Sequence, residues 1–584
     1  MKKAITILLM VSTGIAASAQ TYLDAYNFSF NDYYGTARSV GMGNALTAVG
    51  GDIGSVAINP AGSAVAGYSQ VTLTPGFSVS NTVSQGTALS GETAPYGFED
   101  ALRSSKTRFA LPSVGATFNF NTRRSRGVKD VSIGFIYSTS NVYLNTISAS
   151  GTNNTTSISG YFSQVANGNT AASLDASGAY DSGIPWEAIL AYRGGLIATR
   201  AGTDNVYVGA AEKALDNGEN ALAGLIDQHY GRLTTGSKGS MIFNIGLNIS
   251  DYVYIGANLS LLTLTYSYSD SFRENVNMDD PANVAKFKQE FIGEGGETIQ
   301  TRFDNLRYRQ FWKDRGTGFN AKFGIIARPV AGLRLGLTVQ TPTATTIRET
   351  YSYDASSQYV NANFSSSEES PSDKFSYRLR SPWVFGAGLA YTFADKGLIS
   401  ADYEMTDYSS MLLSSASSAD GDYSRVNADI SNLMGFGHSV RVGAEFKPIP
   451  ELGLRAGFNY MNCAEKDAIF GKYMKTQTLS GSFGAGYSSA GSFFVDAAVR
   501  LTFQPDSYYR PYGDYYDAGG NVIAYAPEIL TKSRLFTAMV TVGWGFYRVP
   551  TNKLFPLMQP TARAGTFFPV FRRRPCSQMH EQER

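Results

Sequence analysis

The stretch Phe536-Thr537-Ala538-Met539-Val540-Thr541-Val542-Gly543-Trp544-Gly545-Phe546 decides the fold. Large apolar side chains occupy every second position, and the positions between them are mostly small or polar. A period of two sends successive side chains to opposite faces of a β-strand. One face here is greasy and the other is not. A chain with many such strands satisfies all of its backbone groups in lipid by closing into a barrel, with apolar side chains outward and polar ones in the lumen.

Thirteen further segments continue the pattern. They lie at 69–81, 110–120, 130–144, 239–249, 252–267, 317–328, 332–341, 382–393, 397–406, 439–447, 452–461, 480–488 and 491–504, and with 534–546 they make fourteen strands. The expected fold is an all-β transmembrane antiparallel barrel, and the even number suits a bacterial one. Ser250-Asp251, 329–331, 394–396, 448–451 and Ser489-Ala490 read as tight turns, and 121–129 as a longer basic one. Long segments separate the other strand ends, above all 145–238, 268–316 and 342–381. Short periplasmic turns and long extracellular loops fit this alternation, with both termini on the periplasmic side.

The chain begins with a secretory signal. Lys2 and Lys3 precede the apolar run 4–15, and Ala17-Ser18-Ala19 is a cleavage site, which gives a mature start near Gln20. That run is too short to span a membrane as a helix. The domain reading is therefore signal peptide 1–19, N-terminal segment 20–67, barrel 68–546 and a disordered periplasmic tail 547–584 that carries Arg572-Arg573-Arg574.

Composition agrees with a barrel. Sixty Gly relieve crowding inside a tapered wall, and 36 Tyr with 35 Phe suit the interface girdles. A net charge of +1 offers nothing to nucleic acid. Cys463, Cys576, His229, His438 and His580 lie far apart in sequence, so neither a metal site nor a cofactor is expected.

Parity assigns the faces. Leu333, Leu335, Leu337 and Val339 face lipid, as do Val440, Val442, Ala444 and Phe446, and Phe493, Val495, Ala497 and Val499. Arg334, Asp402, Glu404, Arg441, Glu445, Arg455, Asp496 and Arg500 face the lumen. An Arg or Lys on the lipid face near the midplane costs roughly 2–4 kcal/mol, which explains the segregation. Charges of both signs suit mutual pairing better than an ion-selective ring. Asp402 and Glu404 have no nucleophile beside them, and no nucleophile elbow, P-loop or zinc-protease motif occurs, so no enzyme is expected.

Two loops carry helical patterns. Pro185 opens one with Trp186, Ile189 and Leu190 on a face; Asp280-Pro281 opens another with Val284, Phe287 and Phe291 on a face. The segment 210–226 reads as a third. These faces either pack together or form an apolar groove at the barrel mouth where a ligand is captured.

The segment before the first strand is specific. It contains Ala37-Arg38-Ser39-Val40-Gly41-Met42-Gly43-Asn44-Ala45, then Gly51-Asp52, then Asn59-Pro60-Ala61-Gly62. It resembles the N-terminal region of the FadL/TodX family of outer-membrane transporters for hydrophobic compounds. Hairpins such as 317–336 and Gly386-Ala387-Gly388-Leu389 with Asp402-Tyr403-Glu404 resemble that family too. The resemblance implies a lumen plugged by the N-terminal segment as a hatch, with Asn59, Pro60 and Ala61 as hatch positions and Gly41, Gly43 and Asp52 as companions. It implies long-chain fatty acids or aromatic hydrocarbons as ligands, captured outside and released sideways into the membrane through a gap in the wall. Gly134, in the third strand, is the candidate kink at that gap. It further implies a monomer in outer-membrane lipid, inserted by the barrel-assembly machinery. Two departures stand out: loop 145–238 does not match the family's capture helices, and the chain continues beyond the terminal aromatic Phe546. A hemin receptor and an adhesive, non-transporting barrel are the alternatives. His229 is the only histidine in the largest loop.

Overall fold

The computed structural model describes residues 21–87, 97–215, 218–292, 298–417, 421–466, 477–489, 493–517 and 519–546. The expected signal peptide, the 547–584 tail, Cys576 and His580 lie outside these residues. Fourteen antiparallel strands close a barrel: β1 (Ser69–Thr87), β2 (Leu102–Asn121), β3 (Val128–Asn153), β4 (Ile226–Ile249), β5 (Val253–Val276), β6 (Thr298–Ala327), β7 (Leu333–Gln340 continued by Ala344–Tyr359), β8 (Asp373–Arg380 continued by Val384–Phe393), β9 (Gly397–Asp407 continued by Leu412–Ser415), β10 (Phe436–Ile449), β11 (Leu452–Met461), β12 (Thr478–Ser488), β13 (Phe493–Phe503) and β14 (Glu528–Phe546). Each pairs with its sequence neighbours, and β14 closes on β1 from Ser69↔Phe546 to Thr87↔Glu528.

The apolar face is outside. Phe319, Leu337, Phe385, Phe446, Trp544 and Phe546 are all exposed, an arrangement that only lipid makes favourable. The protein is a multi-pass β-barrel of the bacterial outer membrane. Ser250 and Asp251 both take positive φ, so the hairpin between β4 and β5 is a two-residue turn that matches the strand twist. The three broken strands have local causes. Pro342 and Pro382 interrupt β7 and β8 side by side, since proline supplies no ladder N–H, and Asp407 caps a single turn at Tyr408–Ser410 in β9.

Several strands run well past their sequence-based ends, all toward the long-loop rim. β6 is 30 residues long. Its upper part, rich in Arg, Gln and Asp, stands in water. It therefore lacks the apolar alternation that marks the lipid zone, while its ladders to β5 and β7 hold it extended.

Above that rim the loops form a cap with its own core. Helices α1 (Ile158–Ala166), α2 (Ala171–Asp175) and α3 (Trp186–Arg193) pack with Phe272, Phe287, Phe303 and Tyr308. The expected helix at 210–226 is instead a short hairpin, Glu212–Ala214 with Asn220–Leu222. Helix α4 (Pro281–Lys286) ends before Phe287, and Phe291 lies in a strand paired with Ile299. The apolar spacing of that segment continues past the cap at Phe287, where strand pairing takes over.

Candidate functional site

Residues 21–67 lie inside the barrel, almost wholly buried from Asp32 to Ala66. Side chains at their ends start short helices. Thr21 and Asp24 form a capping box, Thr36 accepts from Ser39 N (3.2 Å), and Asp52 accepts from Gly54 N (3.0 Å) while receiving the Thr36 hydroxyl (2.6 Å). Asn59 is the junction. Its carbonyl oxygen accepts from Ala61 N (3.0 Å), closing an Asx turn that Pro60 stiffens. Its amide donates to Thr47 O (2.7 Å) and across to Ile325 O of β6 (3.2 Å).

Backbone meets backbone where this segment touches the wall. Gly246, Gly256 and Gly324 are ladder partners on β4, β5 and β6, and they face residues 59–64. A Cβ on Gly324 would fall 1.9 Å from Asn59 Oδ1, and one on Gly256 2.3 Å from the Pro60 carbonyl carbon. Across the lumen a Cβ on Gly457 would lie 2.0 Å from Gly43 N, and Gly41 rests on Gly484. Gly324→Val is expected to break the Asn59 bridge and loosen the segment, which a protease that cleaves residues 21–67 in the folded barrel would detect.

The inward charges are occupied by the same segment. Arg38 bonds Glu445 (2.9 Å), Glu445 bonds Arg455 (2.7 Å), and Arg455 bonds Asp496 (2.7 Å). Arg500 holds Asp32 and lies 5.1 Å over the Tyr34 ring. Glu404 pairs with Arg441 (3.0 Å) and accepts from Tyr33 (3.2 Å); Asp402 accepts from Thr47 N (2.8 Å); Arg334 donates to Val49 O (2.6 Å). Lys238 donates to Phe28 O (2.9 Å) and Phe30 O, and Lys322 to Ala57 O (2.9 Å). Parity also places these two lysines inward, yet single charges in Ser- and Asn-rich strands carry no local signal that a chain segment is waiting for them.

The capture surface drawn from the loops needs correction. Ile189, Leu190 and Phe287 are sealed in the cap core, because the helix faces pack on each other and on the tall strands. Val284 is half-buried against that core, and Phe291 belongs to a strand. Trp186 differs. Half-buried, it stands 5.4 Å from Tyr351, which heads an aromatic row facing the upper lumen. Tyr351, Trp312 and Tyr268 are ladder neighbours on β7, β6 and β5, stacked at 5.0 and 5.8 Å with Arg232 4.0 Å over Tyr268. The row descends through Tyr266 and Tyr143 to Phe28. Below it the wall turns polar at Ser138, Asn258, Asn320 and Gln340. His229 sits exposed on β4, and His438 bonds the Tyr403 hydroxyl on the outer face (2.7 Å). Among the described residues no cluster could hold a metal ion.

The cap also buries Glu212, which accepts from Gly209 N (3.1 Å). Burial pushes its carboxyl from 4.5 up to about 7. The unfolded loop ionises from pH 4.5 upward while the folded one resists, so cap stability should fall as pH rises from 4.5 to about 7 and then level off. Hydrogen exchange across 158–222 would follow this loss, and Glu212→Gln should reduce it, the remainder coming from Glu274, which burial in the same cap also pushes up to about 7.

One interval of the wall is split. β2 pairs with β3 only from Ser113↔Ser138 to Asn121↔Asp130; above this, residues 102–110 have a backbone ladder to β1 alone, and Ser104 Oγ reaches Thr146 O of β3 across the gap (2.7 Å). Beyond Ser138, β3 carries a register shift at Thr139–Asn141, and Leu144 turns into the lumen against Val40, Leu535 and Met539. Tyr34 bridges to Thr139 at that point. The kink is therefore not at Gly134, which sits in an unbroken ladder between Thr117 and Asn244. A cavity of about 280 Å³ fills the split, bounded by Tyr34, Phe77, Arg108, Leu111, Tyr137 and Val142. An apolar groove of about 590 Å³ on the lipid face adjoins it and shares Gly76, Phe77 and Ala110.

The chain is similar to FadL-type outer-membrane barrels. A Pseudomonas aeruginosa FadL homologue is 12% identical over 88% of this chain and 99% of its own, with a TM-score of 0.48. The Pseudomonas putida toluene transporter TodX is 10% identical over 89% and 100%, TM-score 0.42. The Ralstonia pickettii toluene transporter TbuX is 14% identical over 89% and 100%, TM-score 0.40. No protein-family model and no curated protein matches the sequence.

Proposed function

We propose that this barrel passes small hydrophobic or amphipathic compounds across the outer membrane and releases them sideways into lipid. In this reading residues 21–67 are a hatch. Asn59, Pro60 and Ala61 lock it to β6, and Gly41, Gly43 and Asp52 shape it. The aromatic row receives ligand at the mouth; long-chain fatty acids and aromatic hydrocarbons are the candidate cargoes.

The observation that carries the reading is the split between β2 and β3. A sealed wall around an occupied lumen leads nowhere, and the end of the β2–β3 ladder at Ser113↔Ser138, with a cavity beside it, supports a sideways exit. Each buried CH₂ is worth roughly 0.8 kcal/mol, so a greasy ligand leaves more readily into the membrane than back into water.

Cells with and without the protein should differ in accumulation of a labelled long-chain acid or of toluene. A reversible crosslink between Ala110→Cys and Val142→Cys, made with Cys463 and Cys576 replaced by Ser, should abolish that difference, and reductant should restore it. Equal accumulation in all strains overturns the proposal. Trp312→Ala is expected to weaken binding of a single-ring ligand about 3- to 10-fold, since Tyr268 and Tyr351 lose the ring stacked between them that aligns the row; fluorescence quenching of the purified barrel would measure it.

A further inference from the structure

We infer that Arg108 is the headgroup site of the wall split, and that it selects amphiphiles bearing a carboxylate. The inference rests on the lateral-release reading above.

Arg108 projects inward from the unpaired stretch of β2 into the cavity, opposite Ser78 on β1. Its guanidinium crosses the split to β4, where Nη1 donates to Gly236 O and Nη2 to Ser237 Oγ (3.2 Å). Among the described residues it makes no ion pair, whereas Arg38, Arg441, Arg455 and Arg500 deeper in the lumen each pair with a carboxylate. A guanidinium carries five N–H donors and matches a carboxylate in bidentate fashion. Two of the five are in use here, and both acceptors are neutral, so a carboxylate is a better partner than those now held.

The rest of the cavity divides accordingly. Ser78, Thr139, Ser237 and Thr537 sit with the cation, and Phe77 and Leu111 line the apolar remainder. Phe77 also borders the outer groove, where polar lining is nearly absent. An amphiphile seated here puts its head on Arg108 and its tail through the split into lipid. A lone cation beside an opening to hydrocarbon is otherwise costly to keep. An anionic ligand head is one source of the matching charge, and the phosphate of a membrane lipid is the other.

Accumulation of a labelled C16 carboxylic acid and of its methyl ester tests this in cells producing wild type, Arg108→Gln or Arg108→Lys, with surface levels measured for each. The expected result is a loss of about tenfold or more for the acid in Arg108→Gln, little change for the ester, and partial recovery of the acid in Arg108→Lys. Equal loss of acid and ester overturns the inference and makes Arg108 a strap across the split. No loss of either overturns it as well. Purified protein is assayed in parallel for C16 acid and for phosphatidylglycerol. Loss of phosphatidylglycerol binding alone in Arg108→Gln overturns it in favour of a bound membrane lipid. If wild type accumulates neither acid nor ester, the transport reading itself fails, whatever the variants do.

Discussion

Deleting residues 22–67 is expected to turn a barrel of near-zero ion conductance into a steadily conducting pore. A fourteen-strand barrel is wider than the eight-strand kind that side chains alone can fill. What fills this one is the N-terminal segment, packed on the wall through glycines such as Gly256, Gly324 and Gly457. Its removal leaves Arg334, Arg441, Glu445, Arg455 and Arg500 lining an aqueous channel. These groups hydrate there at little cost, and the ladders that close β14 on β1 are untouched. Single-channel recording in planar bilayers should show conductance rising about tenfold or more. Large steady conductance in the intact protein would instead mean that the segment does not seal the lumen. Should the deletion fail to insert, Gly324→Val offers the same readout with the segment present but displaced.

Replacing Glu445 by Leu is expected to cost about 3–5 kcal/mol. Glu445 takes Arg38 at 2.9 Å and Arg455 at 2.7 Å, all three buried. Without it Arg38 keeps no carboxylate partner, while Arg455 keeps only Asp496. Arg38→Met should cost less, because Glu445 then still pairs with Arg455. The double variant should cost less than the sum of the two, since the Arg38 charge stranded by Glu445→Leu is gone. Denaturant unfolding of the four proteins gives the ordering. An effect of Glu445→Leu no larger than that of a surface ion pair would show these charges to be hydrated in the folded barrel.

How far such sites can be read from a chain depends on the range of the forces that make them. Parity alone sends Arg441, Glu445, Arg455 and Arg500 inward, because a charge on the lipid face is penalised strand by strand. Arg38, the partner of Glu445, and Asp32, the partner of Arg500, lie more than 400 residues away from them, and neither stands out in its own neighbourhood. Asn59-Pro60-Ala61 reads as a rigid turn wherever it is placed. That it meets a row of wall glycines depends on Gly246, Gly256 and Gly324 standing in one register, which pairing alone sets. The loop helices mislead for a related reason. Ile189, Leu190 and Phe287 mark apolar faces correctly, but periodicity does not say whether a face meets a ligand or another part of the cap.

The sequence by itself determined the strand count, the faces and the membrane, because a period of two in lipid is enforced residue by residue from Phe536 to Phe546 and in every other strand. Only the tertiary structure decided where the wall opens. Within β2 only Pro112, which supplies no ladder N–H, marks the point where pairing with β3 ends, and a proline by itself does not say which neighbour is lost or over what length. The partner is lost because β3 bends inward at Thr139–Asn141 to bring Leu144 onto the hatch and β14, a contact between segments with no common local signal.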